Sequence, residues 1–279
     1  MLNNRHQELD KTNWDHVVVS VSGGKDSSVL MAWAVANFPK EKLVCVHAVI
    51  DIDWKETISV VREQAKFFDL PLIEVQAKHA DGTDKGFLSV LSKKRVSRKT
   101  GEEKEAKFPD MCNRWCTSEL KIAPIDKYVR TLKGNILVLI GERAEESSQR
   151  ARLEAWRPDD KLSVNGRNIV KHSPILEMLE TQIWSIIEAV GMPVHPVYSW
   201  GVSRASCAIC IFSSDKEIAI AYEKAPEIVS KYIKTELTIE HSFRYKPETK
   251  KRPALKVRIV DILTNEGFDM SAFLNPERV

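Results

Sequence analysis

No stretch of this 279-residue chain is apolar for long enough to cross a bilayer. Residues 1–8, MLNNRHQE, hold no apolar segment of the kind that leads a secreted chain. A cytoplasmic protein with no membrane partner is therefore expected. Cysteine is scarce, with five residues: Cys45, Cys112, Cys116, Cys207 and Cys210. In a reducing compartment these read as thiols or metal ligands rather than disulfides. Charge of one sign is missing too: 42 Lys and Arg against 39 Asp and Glu leave +3, too little to argue for a nucleic-acid partner. There is no internal repeat and no low-complexity linker. What remains is an ordinary soluble balance, 43% hydrophobic and 29% charged, long enough for one large domain or one domain with a small addition.

The common nucleotide loops are also absent. A Walker A motif needs four residues between its first glycine and Gly-Lys-Ser/Thr, and no Rossmann glycine fingerprint follows the first strand pattern. In their place stands Val17-Val18-Val19-Ser20-Val21-Ser22-Gly23-Gly24-Lys25-Asp26-Ser27-Ser28, followed by a helical pattern from Val29. Strand, small-residue loop and helix put backbone N–H groups and a helix N-terminus where a polyphosphate can sit. Gly23 and Gly24 let the backbone approach an anion. Lys25 offers a point charge for phosphate oxygens, and Ser22 and Ser27 offer hydroxyls. Asp26 or Ser27 is expected to cap the helix, and Asp26 to help hold Mg²⁺.

Strand and helix patterns alternate over the first two-thirds, which predicts an α/β fold: an open, mainly parallel sheet with helices on both faces. Residues 43–50 read as a second buried strand, 72–75 as a third and 136–140 as a fourth. A helix is expected over 56–68, with Ile58, Val61, Ala65 and Phe68 on one face. Parallel sheets bind ligands beyond the carboxyl ends of their strands. The glycine loop, Asp51 with Ile52 and Asp53, and Gly141 with Glu142 and Arg143 then converge on one crevice. Arg143 is placed to grip phosphate or sulfate there, with Arg150 a second candidate. The basic stretches 93–104 and 244–258 read as solvated charge or phosphate-backbone contacts. A boundary near Ser199-Trp200-Gly201 divides a nucleotide-binding domain, 1–200, from a small cysteine-bearing helical extension, 201–279.

Ser22-Gly23-Gly24-Lys25-Asp26-Ser27 resembles the PP-loop of the ATP pyrophosphatase superfamily, which splits ATP between its α and β phosphates. The branch it resembles contains phosphoadenosine-phosphosulfate (PAPS) reductases, adenylyl-sulfate reductases and the ATP pyrophosphatases of DNA phosphorothioation. The stretch 141–150 resembles that branch's arginine motif after the fourth strand. His172-Ser173-Pro174-Ile175, Trp184 and Pro196-Val197-Tyr198 follow in the same order, although His172 by itself reads as a structural histidine. The resemblance implies an adenine nucleotide alpha hydrolase-like fold with ATP as ligand.

Cys112 and Cys116, with Cys207 and Cys210, supply four thiols, enough for a four-iron four-sulfur cluster or a tetrahedral zinc. The resemblance to adenylyl-sulfate reductases puts the cluster first. Trp115 stands where that family has the other cysteine of its first pair. Cys45 lies in an expected core strand. No cysteine follows Cys210, which turns the expectation away from sulfonucleotide reduction, a reaction that uses a cysteine nucleophile near the C-terminus. The resemblance then implies an ATP pyrophosphatase of DNA phosphorothioation. It would work with a cysteine desulfurase, other DNA-modification proteins and DNA, with Lys25 and Arg143 stabilising the phosphates. The alternatives are a PAPS or adenylyl-sulfate reductase-like enzyme, and a non-catalytic nucleotide-binding subunit of a modification or defence complex.

Overall fold

A strand that is apolar on both faces has to be covered on both faces. β1 (His16–Ser20) reads HVVVS, and its three valines are fully buried. In the computed structural model it lies in the interior of a six-stranded sheet. Residues 13–93, 95–96, 100–164, 166–239, 241–246 and 255–274 are described.

After β1 come α1 (Lys25–Asn37), β2 (Leu43–Ala48), α2 (Thr57–Phe67), β3 (Leu72–Val75) and α3 (Phe87–Leu91). Then follow the two-residue strands β4 (Arg95–Val96) and β5 (Glu103–Lys104), α4 (Ala123–Val129), β6 (Gly134–Leu139), β7 (Trp156–Pro158), β8 (Arg167–His172) and α5 (Glu180–Val190). The remainder is α6 (Asp215–Lys224), α7 (Pro226–Ile239), β9 (Arg244–Lys246), β10 (Leu255–Val257), α8 (Ile259–Asn265) and α9 (Ser271–Leu274).

The large sheet has the order β3-β2-β1-β6-β8-β7 and is parallel except for β7, which pairs antiparallel with β8 at the edge. From β1 the chain first winds outward through β2 and β3, then returns to the other side of β1 as β6. That reversal opens a crevice beyond the carboxyl ends of β1 and β6, the usual ligand position in such sheets.

The sequence placed β2, β3 and β6 within two residues of their observed bounds, but it did not anticipate β7 and β8. β8 reads RNIVKH, with only Ile169 and His172 buried, so it lacks the continuous apolar run that marked β1. On α2 the buried face is Thr57, Val60, Val61, Gln64 and Ala65. Ile58 and Phe68, expected on that face, are only half-buried.

One face of the sheet packs Val17, Val19, Leu137 and Leu139 against Leu30 and Met31 of α1 and Val61 of α2. The opposite face packs Val18, Val46, Ile136 and Val138 against Val129 of α4. A further core joins Ile52, Phe87, Trp115 and Leu120 to Ile218, Val229, Tyr232, Ile259 and Leu263. Phe87 stacks between Trp115 and Tyr232, with centroids 4.9 and 5.1 Å away. Residues from both sides of position 200 thus contribute to one core.

The basic stretch 93–104 contains the antiparallel pair β4–β5 rather than a plain loop; its residues 94 and 97–99 lie outside the described residues. The stretch 244–258 contains the antiparallel pair β9–β10, with 247–254 outside. Residues 1–8 and 275–279, both used above, lie outside as well. Among the described residues no helix is long and apolar enough to cross a membrane.

Candidate active site

The glycine loop is built from short hydrogen bonds. Val21 N donates to Val46 O at 3.0 Å, keeping the chain on the sheet for one residue past β1. Gly23 then turns with φ +78°, the left-handed region that favours glycine. Gly24 is the N-cap of α1, and no side chain caps the helix, contrary to the expectation for Asp26 or Ser27. Ser27 braces the loop instead: its hydroxyl donates to Gly24 O at 2.9 Å and accepts from Ser22 N at 3.2 Å. Gly141, after β6, packs so closely on α1 that a Cβ there would lie 3.3 Å from Asp26 O.

A cavity of about 420 Å³ opens at this point, within the range of small-molecule sites. Ser22, Gly24, Asp26, Ser27 and Gly141 line it. Lys25 and Arg143, expected to face the ligand, do not. The Lys25 side chain is 2% exposed; its Nζ donates to Ser203 O at 2.9 Å and lies 3.4 Å from Glu180. Arg143 is 3% exposed, with Nε donating to Asp26 Oδ1 at 2.6 Å and a second bond to Glu145 at 2.5 Å. Both cations belong to one ion network with Asp26, Glu145 and Glu180, beside the loop rather than in the cavity.

Asp51 is also displaced from its expected role. It is exposed, and its Oδ1 accepts Phe87 N at 2.6 Å, tying down the start of α3. The carboxylate that lines the cavity from this segment is Asp53, whose pKa burial raises against the opposing pull of Lys121 and His47.

Cations of the cavity wall come from elsewhere: Arg114, Lys121, Arg150 and Arg204. Arg204 donates to Glu146 at 2.6 Å, and Arg150 pairs with the same carboxylate. Glu146 also accepts Arg143 N at 2.9 Å. One carboxylate therefore serves two arginines, and the Arg150 pKa is pushed down by burial and by the charges of Arg204 and Arg114. Like charges crowded in a half-buried wall are relieved by an anionic ligand. Arg150 was a second candidate in the sequence. Arg114, Lys121 and Arg204 had no recognisable signal, because no spacing rule links the segment of Arg114 and Lys121 to that of Arg204. Lys121 faces inward on a π-helical turn, Thr117–Ile122, a local irregularity common at functional sites.

Three cysteines line the same cavity: Cys116, Cys207 and Cys210. Burial pushes the thiols of Cys116 and Cys207 up, while the charge of Lys121 works in the other direction on both. Cys112 does not join them. Asp110 Oδ1 accepts both Cys112 N and Asn113 N, at 2.8 and 2.7 Å, and that turn leaves Cys112 exposed while Trp115 is buried. Among the described residues no group of three or more Cys, His, Asp or Glu is arranged to hold a metal ion. The expected four-thiolate set is therefore not formed, and as placed the cysteines fit neither a four-iron cluster nor zinc. Cys45 is fully buried in β2, its thiol pushed up to about 12 by burial. His172 is a packing residue, stacked on Trp156 at 3.7 Å and lowered to about 4 by burial.

Over residues 16–213 the sequence matches the phosphoadenosine phosphosulfate reductase domain. The chain belongs to that family. Every loop, arginine and cysteine residue of the cavity named above falls within the PAPS reductase domain, and Tyr232 and Phe243 line it from beyond. The chain is 27% identical over 229 residues to an uncharacterized protein of Methanocaldococcus jannaschii, covering 82% of this chain and 49% of that one. It thus spans about half the length of that relative. A 37.8 kDa protein of Escherichia phage 186 is 23% identical, over 92% of this chain and 86% of its own. Among solved structures, PAPS reductase from Candida auris is similar with a TM-score of 0.45 at 15% identity, over 71% of this chain and 83% of that one.

Proposed function

We propose that this PAPS reductase-family protein is an ATP pyrophosphatase, cleaving ATP to AMP and pyrophosphate to activate an acceptor for sulfur incorporation. One observation carries the reading: a single cavity joins the glycine loop, three arginines and three thiols. ATP lies with its phosphates along Ser22, Gly24 and Ser27. Attack at the α-phosphate builds charge on the pyrophosphate leaving group, which Arg150 and Arg204 stabilise, with Arg114 close by. Lys25 and Arg143 act from beneath, holding α1 and its loop in place. Mg²⁺ would accompany the phosphates and neutralise part of their charge, with Asp26 the loop carboxylate available to it. No step is routed through an iron–sulfur cluster.

Of the acceptors that combine sulfur with nucleotide activation, DNA in phosphorothioate modification is the one the PP-loop resemblance favours, with a cysteine desulfurase and other modification proteins as partners. Incubation of the purified protein with ATP and Mg²⁺, with products separated by ion exchange, tests the core of this reading. AMP and pyrophosphate in equal amounts are expected, and ADP with orthophosphate would refute it. The thiols favour one second reading, a sulfonucleotide reductase. Sulfite release from PAPS or adenylyl sulfate with thioredoxin, and no cleavage of ATP, would support that instead. Tight ATP binding without turnover, partners included, would mark a non-catalytic subunit.

A further inference from the structure

Tyr198 comes from a short turn more than 170 residues after the glycine loop, yet its hydroxyl sits on that loop. It accepts the backbone N–H of Lys25 at 2.8 Å, the N–H at the start of α1 that the sequence assigned to a phosphate. It also accepts Ala205 N at 3.4 Å. A Cβ on Gly24 would lie 3.3 Å from the hydroxyl and 3.5 Å from Ser22 Oγ, so the phenol and this serine flank the same glycine. The ring is fixed edge-on by Trp184 at 5.0 Å, and Lys25 Nζ lies 5.3 Å from its centroid. Tyr198 lines the cavity.

A phenol has two acceptor lone pairs and one donor hydrogen. Two N–H groups occupy the acceptor side, and no acceptor among the described residues takes the hydrogen. We propose that Tyr198 is a phosphate-binding residue that donates its O–H to an oxygen of the nucleotide's phosphate chain. The helix N-terminal N–H is then relayed to the anion through the phenol rather than lost to it. Donors already bonded to the oxygen polarise the O–H and strengthen the outgoing bond, and a hydroxyl facing a phosphate oxygen makes a charge-assisted bond. The assignment rests on the ATP reading of this cavity, since it needs an anion beside Gly24.

Titration calorimetry of the full chain with the non-hydrolysable analogue AMPCPP tests it on two variants. Tyr198→Phe is expected to weaken AMPCPP roughly ten- to hundredfold, the range for a hydrogen bond to a charged group. Replacement by 3-fluorotyrosine at position 198 keeps the shape but makes the O–H a better donor and the oxygen a poorer acceptor. If Tyr198 donates to the ligand, this variant binds AMPCPP more tightly than wild type. If the hydroxyl only holds the loop, it binds more weakly, and the proposal falls. It falls equally if Tyr198→Phe binds like wild type, or if wild type does not bind AMPCPP. Should Tyr198→Phe fail to fold, the fluorotyrosine protein decides alone. A wild-type protein that binds AMPCPP but yields no AMP from ATP would sink the pyrophosphatase reading and leave the tyrosine assignment standing on its own titrations.

Discussion

Arg143→Met separates a structural cation from one that binds the ligand. Methionine keeps much of the volume of the arginine stem and removes only the guanidinium. In the native protein that group is 3% exposed and bonds Asp26 at 2.6 Å and Glu145 at 2.5 Å, with Glu180 at 3.7 Å. Removing one partner of a buried ion pair costs about 3–5 kcal/mol, because the other charge is left without compensation. Here Asp26 is 20% exposed and Glu180 48%, so water takes up part of the deficit and a loss of about 3 kcal/mol is expected at neutral pH. That is a large part of the 5–15 kcal/mol of a typical domain. The loss also depends on pH. Glu145 is held below its ordinary carboxylate pKa by the backbone bond from Glu180 and by Arg143. A depressed carboxylate contributes stability above its unfolded value of 4.5 and loses it as pH falls through the folded value. The gap between wild type and Arg143→Met should therefore narrow in acid. Urea denaturation at pH 7 and pH 4, followed by tryptophan fluorescence, reads both effects. A variant of wild-type stability that no longer cleaves ATP would refute this reasoning and make Arg143 a ligand group that leaves its network during turnover.

Three further outcomes follow from the geometry. Gly23→Ala should destabilise by at least about 1–2 kcal/mol for a left-handed alanine, because φ is +78° and its Cβ would also meet Val61 Cγ2 at 3.2 Å; an unchanged urea midpoint would contradict the loop conformation. Glu236 accepts Ile259 N at 2.9 Å and also Phe243 N, and burial raises its pKa from 4.5 to about 7. A raised carboxylate favours the fold most below 4.5, and that contribution is lost as pH rises through about 7. Glu236→Gln should therefore flatten the fall in stability between these values, and an unaltered slope in denaturation midpoints would count against it. Under limiting iodoacetamide Cys112, the exposed thiol, should be alkylated first, and Cys45, fully buried, only on unfolding; peptide mass spectrometry gives the order.

Residue type and local spacing made the frame readable. Val17, Val18 and Val19 named a central strand because a β-branched run with no polar face has only one place to go in a sheet. Gly23-Gly24 named the loop because only glycine is comfortable at φ +78°. The edge was not readable: β8 buries two of its six residues and β7 is three residues long, so neither carries a pattern. Asp51 and Asp53 show the limit more sharply. Both stand just past β2, two residues apart. A bond to Phe87 N takes one to α3, and the bridge between Asp53 and Cys207 takes the other to the cavity.

The cations make the same point for the site. Lys25 and Arg143 have the chemistry a phosphate wants and stand in the motifs that announce a phosphate, yet Asp26, Glu145, Glu180 and Ser203 O have claimed them. Where a flexible charged side chain points is set by its nearest counter-charges, which here arrive from α1, from α5 and from the turn after β6, and the phosphate motifs do not encode that pairing. The cations of the cavity wall are Arg114, Lys121, Arg150 and Arg204, brought in by three separate segments. Among the described residues Glu146 pairs with two of them at once. Glu146→Gln should therefore loosen Arg150 and Arg204 and leave the wall more positive. If those arginines stabilise the leaving pyrophosphate, the variant binds inorganic pyrophosphate more tightly in low salt and loses the advantage as salt rises. Equal affinity at every ionic strength would mean that Arg150 and Arg204 brace the turn and do not face the anion.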